Sequence, residues 1–155
     1  MRKRHPRKAR HVSRAAAALQ FSGAAKDNLQ NSAITALTAF IQNYANINHY
    51  TIALVLCNTL EMIILQHING DVVTDKTHHE LTRLKHIAEQ ALTKLYTMRQ
   101  RHKATGDWFL MNEDQEALEL AFSGLLTISE TISTRELATT YSKAEQQTLW
   151  EIKND

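Results

Sequence analysis

The stretch TIALVLCNTLEMIILQHI, Thr51–Ile68, decides the fold. It is apolar nearly all round, where a surface helix would show one apolar stripe. A membrane span needs roughly 20 mostly apolar residues. Here Asn58, Thr59, Glu61, Gln66 and His67 interrupt the run, and Glu61 at its centre would be costly in lipid. The reading is therefore a central, buried helix over about 49–68, with Asn48 as its cap and Asn69-Gly70-Asp71 as its stop.

Helical periodicity continues on both sides. Upstream, Leu29, Ala33, Ile34, Leu37, Phe40, Ile41 and Tyr44 recur at three- and four-residue spacing, which predicts a helix over about 27–45 opened by an Asp27/Gln30 capping pair. Downstream, Thr74 can cap a long helix to about 104 that carries the stripe Leu81, Leu84, Ala88, Ala91, Leu95 and Met98 and ends at Gly106. Asn112 can cap a fourth helix with Leu118, Ala121, Phe122, Leu125, Ile128 and Ile132. Ser133-Thr134-Arg135-Glu136 has the form of a capping box. It opens a fifth helix with Leu137, Tyr141, Ala144, Thr148 and Ile152.

Four Gly and one Pro in 155 residues are too few for the tight turns of an all-β chain. The expected fold class is all-α: a bundle of about five helices in one domain, 26–155, behind a basic N-terminal arm and short helical lead-in, 1–25. The lead-in is Arg14–Gly23, where strong helix formers end at a glycine.

Charge divides the chain the same way. The formal net charge is +2, but residues 1–14, MRKRHPRKARHVSR, hold seven of the 18 Lys and Arg and no acid. Residues 15–155 hold the other 11 basic residues against all 16 acidic ones, a net of −5. A basic arm on an acidic body suits a polyanion partner, while a solvated tail is the plainer alternative. Its Arg-rich, acid-free composition also resembles a mitochondrial transit peptide, and no secretory h-region follows it. Pro6 discourages a helix, so an arm that tracks phosphates in extended form is expected. Its contacts would be Arg2, Lys3, Arg4, Arg7, Lys8, Arg10 and Arg14. A second basic cluster, with Arg99, Arg101 and Lys103, closes the third helix. It suits the helix dipole there and, beside the arm, would extend one positive surface. Trp108 and Phe109 follow it, where they could stack on bases or plug the bundle end.

Chemistry is otherwise scarce. His79 and His86 share a helix face but stand about 10 Å apart along the axis, too far for two ligands of one metal. Glu113, Asp114, Glu116 and Glu119 cluster where a helix N-terminus favours acids. No phosphate-cradling glycine loop and no nucleophile elbow occurs. Cys57, among Leu54, Val55, Leu56 and Leu60, reads as a buried thiol, and a single cysteine forms no internal disulfide. No cofactor, no metal and no enzymatic activity are expected. Asn58 and Glu61 lie three apart on one face of the central helix. That face either meets solvent or buries both groups, and the apolar surroundings favour burial, with Glu61 paired to an Arg or His of another helix.

Three stretches resemble a group of small helical proteins encoded by bacteriophages and prophages of proteobacteria. They are LVLCNTLEM (Leu54–Met62), KATGDWFLMNEDQEALELA (Lys103–Ala121) and ISETISTRELATT (Ile128–Thr140). Members of the group also begin with a short Arg/Lys/Pro arm, matched by RKRHPRK at 2–8. They commonly carry a run such as TGRF where this chain has Thr105-Gly106-Asp107-Trp108, and the Asp speaks against a basic role for that turn. The resemblance carries no activity over. It implies an accessory protein of a mobile element in the cytoplasm of a bacterial host. The expected partner is nucleic acid, DNA before RNA. The alternative is a host protein with an acidic surface. No membrane contact is expected, and a homo-oligomer is compatible.

Overall fold

The computed structural model describes residues 25–70 and 74–155. Five helices follow in order: α1 (Ala25–Ile41), α2 (Ile47–His67), α3 (Asp75–Thr105), α4 (Asn112–Ser129) and α5 (Thr134–Lys153). No strand occurs among the described residues. The all-α bundle expected from the apolar stripes is the fold. The seven arm cations, Arg2, Lys3, Arg4, Arg7, Lys8, Arg10 and Arg14, lie outside the described residues, as do the expected lead-in helix and Asp71.

Helix α2 is the axis. It packs against each of the other four, while α1 and α3 also pack against α4. Every residue from Ala53 to Leu60 is buried, which accounts for an apolar surface with no polar face. By length and composition alone α2 could cross a membrane, but most of it is enclosed by its own fold. Cys57 is fully buried, and burial pushes its thiol up to about 12.

The α3 stripe is buried at all six expected positions. In α1 the buried face is Leu29, Ala33, Ala36, Ala39 and Phe40, whereas Ile34 and Ile41 are exposed, as is Tyr44 beyond its end. Leu29, Ala33 and Phe40 of the expected stripe thus face the core, and Leu37 packs against it partly buried, while Ala36 and Ala39 take the place of the isoleucines. The helix also ends four residues early. Asn43 takes a left-handed φ of 60°, which Asn tolerates, and terminates it.

Three caps are not where the sequence suggests. Asn46, not Asn48, caps α2: its Oδ1 accepts the Asn48 N–H at 2.9 Å, and His49 Nδ1 accepts the Asn46 N–H at 3.0 Å. Met111, not Asn112, precedes α4, and Asp114 reaches back to its N–H at 3.0 Å. Asp27 sits in the first turn of α1 rather than ahead of it. Thr74 and Ser133 do cap α3 and α5. Glu136, however, does not complete a reciprocal box. Its carboxylate meets His67 at 2.5 Å and fastens the end of α2 to the start of α5.

Asn58 and Glu61 part company. Asn58 is buried and its Nδ2 donates to Thr148 Oγ1 of α5 at 2.9 Å. Glu61 is only half-buried, and among the described residues no cation lies within ion-pair distance. The expected buried pair at Glu61 does not form: the side chain is only half-buried, and the charges that act on it are Glu89 and Glu151 as well as Lys85.

Candidate functional site

The second basic cluster occupies the last two turns of α3. Gly106 stops the helix with φ 81°, a left-handed turn that a side chain would strain, and its N–H donates to the His102 carbonyl at 2.7 Å. The chain then doubles back and lays Trp108 over the helix end. Trp108 stacks on His102 with ring centroids 4.0 Å apart and on Tyr50 of α2 at 4.8 Å. It also meets Phe40 of α1 edge-on at 6.2 Å. Only 9% of it is exposed. Trp108 therefore plugs the bundle end and is not free to stack on bases. Phe109 is exposed, and the Arg101 guanidinium lies 5.1 Å from its ring centre.

Each of the three cations is already engaged. Arg99 lies 5.8 Å from the Tyr50 ring centre and 5.9 Å from that of Trp108, a cation held against aromatic faces. Its Nε donates to Asp155 Oδ2 at 3.2 Å, and Lys103 Nζ reaches the same oxygen at 2.9 Å. Those two donors, Lys103 first, hold the Asp155 carboxyl below the usual carboxylate range. Arg101 pairs through Nη2 with Asp114, which is almost wholly buried at the start of α4. Its Nη1 approaches Met111 Sδ at 3.0 Å, and its Nε is buried without a hydrogen-bond partner. Burial pushes the Tyr50 phenol up to about 12, with Arg99 pulling the other way, so Tyr50 stays neutral at ordinary pH.

The same holds along the helix. Six of the seven Lys and Arg of α3 lie in ion pairs, the others being Arg83–Glu80, Lys85–Glu89 and Lys94–Glu113. Arg99, Arg101 and Lys103 are thus brought together, but beside carboxylates that the sequence does not place near them. Asp114 left one readable signal, an acid at the third helical position that can cap backwards. Asp155 left none.

Two clefts border this region. One of about 330 Å³ is lined by Asn43, Ala45 and Gly106–Phe109. A wider one of about 630 Å³ lies between α3 and α4 and carries Glu89, Glu113 and Glu116 with His86 and Lys94. His79 and His86 are both exposed, and no group of three metal-ligating side chains occurs among the described residues. No family model, no curated protein and no solved structure matches the chain.

Proposed function

We propose that this is an accessory protein of a phage or similar mobile element that binds nucleic acid, duplex DNA foremost, through its basic N-terminal arm. The observation that carries the reading is the separation of charge. Seven cations and no acid lie in residues 1–14, against a net of −5 in the remainder. The pairing along α3 supports it, since the body's densest run of cations is largely balanced internally. Attraction to a polyanion then falls to Arg2, Lys3, Arg4, Arg7, Lys8, Arg10 and Arg14. An arm of this kind grips the phosphate backbone and reads little base sequence.

Binding to duplex DNA, measured by fluorescence anisotropy across a salt series, tests this. With four to six phosphates neutralised, log K should fall against log salt with a slope of about −4 to −5. Deletion of residues 2–14 should abolish binding, because the acidic body repels the duplex. A deletion variant that binds with unchanged affinity and slope would take the arm out of the mechanism.

A second reading is a phage factor that docks the arm on an acidic host protein. Adjacent exposed apolar residues on α5 favour it: Leu149 is 53% and Trp150 65% exposed. Retention of one stoichiometric host protein after nuclease treatment, in a pull-down from host lysate, would select this reading over the first.

A further inference from the structure

We propose that Arg99 and Lys103, beside the wall made by Tyr50 and Trp108, form a phosphate-binding site that the Asp155 carboxylate keeps occupied. The proposal rests on the nucleic-acid reading only for the source of the phosphate. The two cations are four positions apart, so they share one face of α3. A single oxygen, Asp155 Oδ2, satisfies both, at 3.2 Å from Arg99 Nε and 2.9 Å from Lys103 Nζ. One side-chain carboxylate therefore meets two cations, with Glu151 of α5 also within electrostatic reach of the Tyr50 wall. Among the described residues the Nη groups of Arg99 have no hydrogen-bond partner, which leaves donors of the kind that phosphate oxygens accept.

The two cations and their carboxylate are held differently. The Arg99 side chain is only 17% exposed and is braced by the two rings, so it is ordered before any ligand arrives. Asp155 lies beyond the end of α5 and its side chain is 33% exposed. It can swing away without disturbing the core. The site also lies at the carbonyl end of α3, whose partial negative charge opposes an anion. Both cations are then needed, and loss of either should empty the site. Asp155 acts as a latch that a phosphate group must displace.

The test uses the full chain, its D155N variant and the D155N/K103Q double variant. Inorganic pyrophosphate is titrated while the Trp108 indole N–H and Arg99 Nε–H are followed by NMR, with the remaining amide signals reporting the fold. D155N should respond at about tenfold lower pyrophosphate than the wild type, as removal of a competing like charge implies. The double variant should lose that response. Equal responses of wild type and D155N, or a response that survives K103Q, would overturn the site. Duplex binding separates the sources of phosphate. A salt slope steeper by about one to two in D155N places the nucleic-acid backbone at the site. An unchanged slope, with pyrophosphate still gained, assigns the site to soluble polyphosphates. If the full chain binds no duplex at all, the arm reading fails, while the pyrophosphate titration still decides the latch.

Discussion

Helix α2 and the end of α3 touch at Tyr50, yet they are held by opposite means. From Ala53 to Leu60 the α2 chain is buried on all sides, and its one buried amide is matched by a hydroxyl from α5. At the end of α3 the side chains are long and charged, and every cation of the cluster is tied to a carboxylate from beyond the helix. Burial constrains what a residue can be, so composition reports it. Ion pairing does not, because Arg99 would look the same beside Asp155, a phosphate or water.

If α2 is the axis of the bundle, the largest loss should come from its centre. Leu60 is fully buried, and a large-to-small change there leaves a cavity that four surrounding helices cannot fill. Leu60→Ala should cost about 4 kcal/mol, near the upper part of the range for buried leucines. Leu65, on the same helix but 48% exposed, should cost no more than about 0.5 kcal/mol on the same change. Chemical denaturation of both variants breaks the comparison if their losses are equal.

The end of α3 should answer differently. Asp114 supplies both the helix-start acceptor for Met111 N–H and the partner for Arg101. Asp114→Ala removes the two together and leaves Arg101, itself only 21% exposed, without a carboxylate. A loss of about 2–3 kcal/mol is expected, below the full cost of orphaning a deeply buried ion because Arg101 keeps some water contact. Glu113, one residue earlier, pairs with Lys94 at 3.2 Å but is 78% exposed. Glu113→Ala should change stability by about 0.5 kcal/mol or less. Equal effects at 113 and 114 in a urea melt would show that burial does not distinguish the two pairs.

The two regions also differ in what could be read before the fold was known. The α3 stripe, with Leu81, Leu84, Ala88, Ala91, Leu95 and Met98, is legible because all six point to one neighbouring surface. The stripe of α1 misleads at Ile34 and Ile41, since close packing on α2 and α4 favours Ala33, Ala36 and Ala39, whose hydrophobicity is weak. At the start of α2 the sequence suggests Asn48 as the cap, but the helix already begins at Ile47 and Asn46 caps it. At the site, the cations Arg99, Arg101 and Lys103 were visible, but Asp155 lies 56 residues from Arg99 and no short-range pattern connects them. Trp108 was legible as an aromatic at a bundle end. Its sandwich between His102 and Tyr50 needed the turn at Gly106 and the position of α2 as well.

Glu61 tests the boundary between the two kinds of region, a charge on the apolar helix. Burial raises its carboxyl above the ordinary range, Glu89 of α3 and Glu151 of α5 push the same way, and Lys85 of α3 opposes them. The folded state therefore holds this proton more tightly than the unfolded chain. Its contribution to stability is fully present below the unfolded value, near pH 4.3, and is lost as pH rises through the folded one. At neutral pH the ionised Glu61 is a small cost, and Glu61→Gln removes it. The variant should be more stable than the wild type at neutral pH, by no more than about 0.5 kcal/mol because the group is half-exposed. That advantage should shrink to nothing as the pH falls below the ordinary glutamate range. Thermal melts of both proteins from pH 4 to 8 supply the comparison. A wild type more stable at pH 7, or a difference that does not change with pH, would mean that Glu61 has a cationic partner after all, and that charge on α2 is handled as it is at the end of α3.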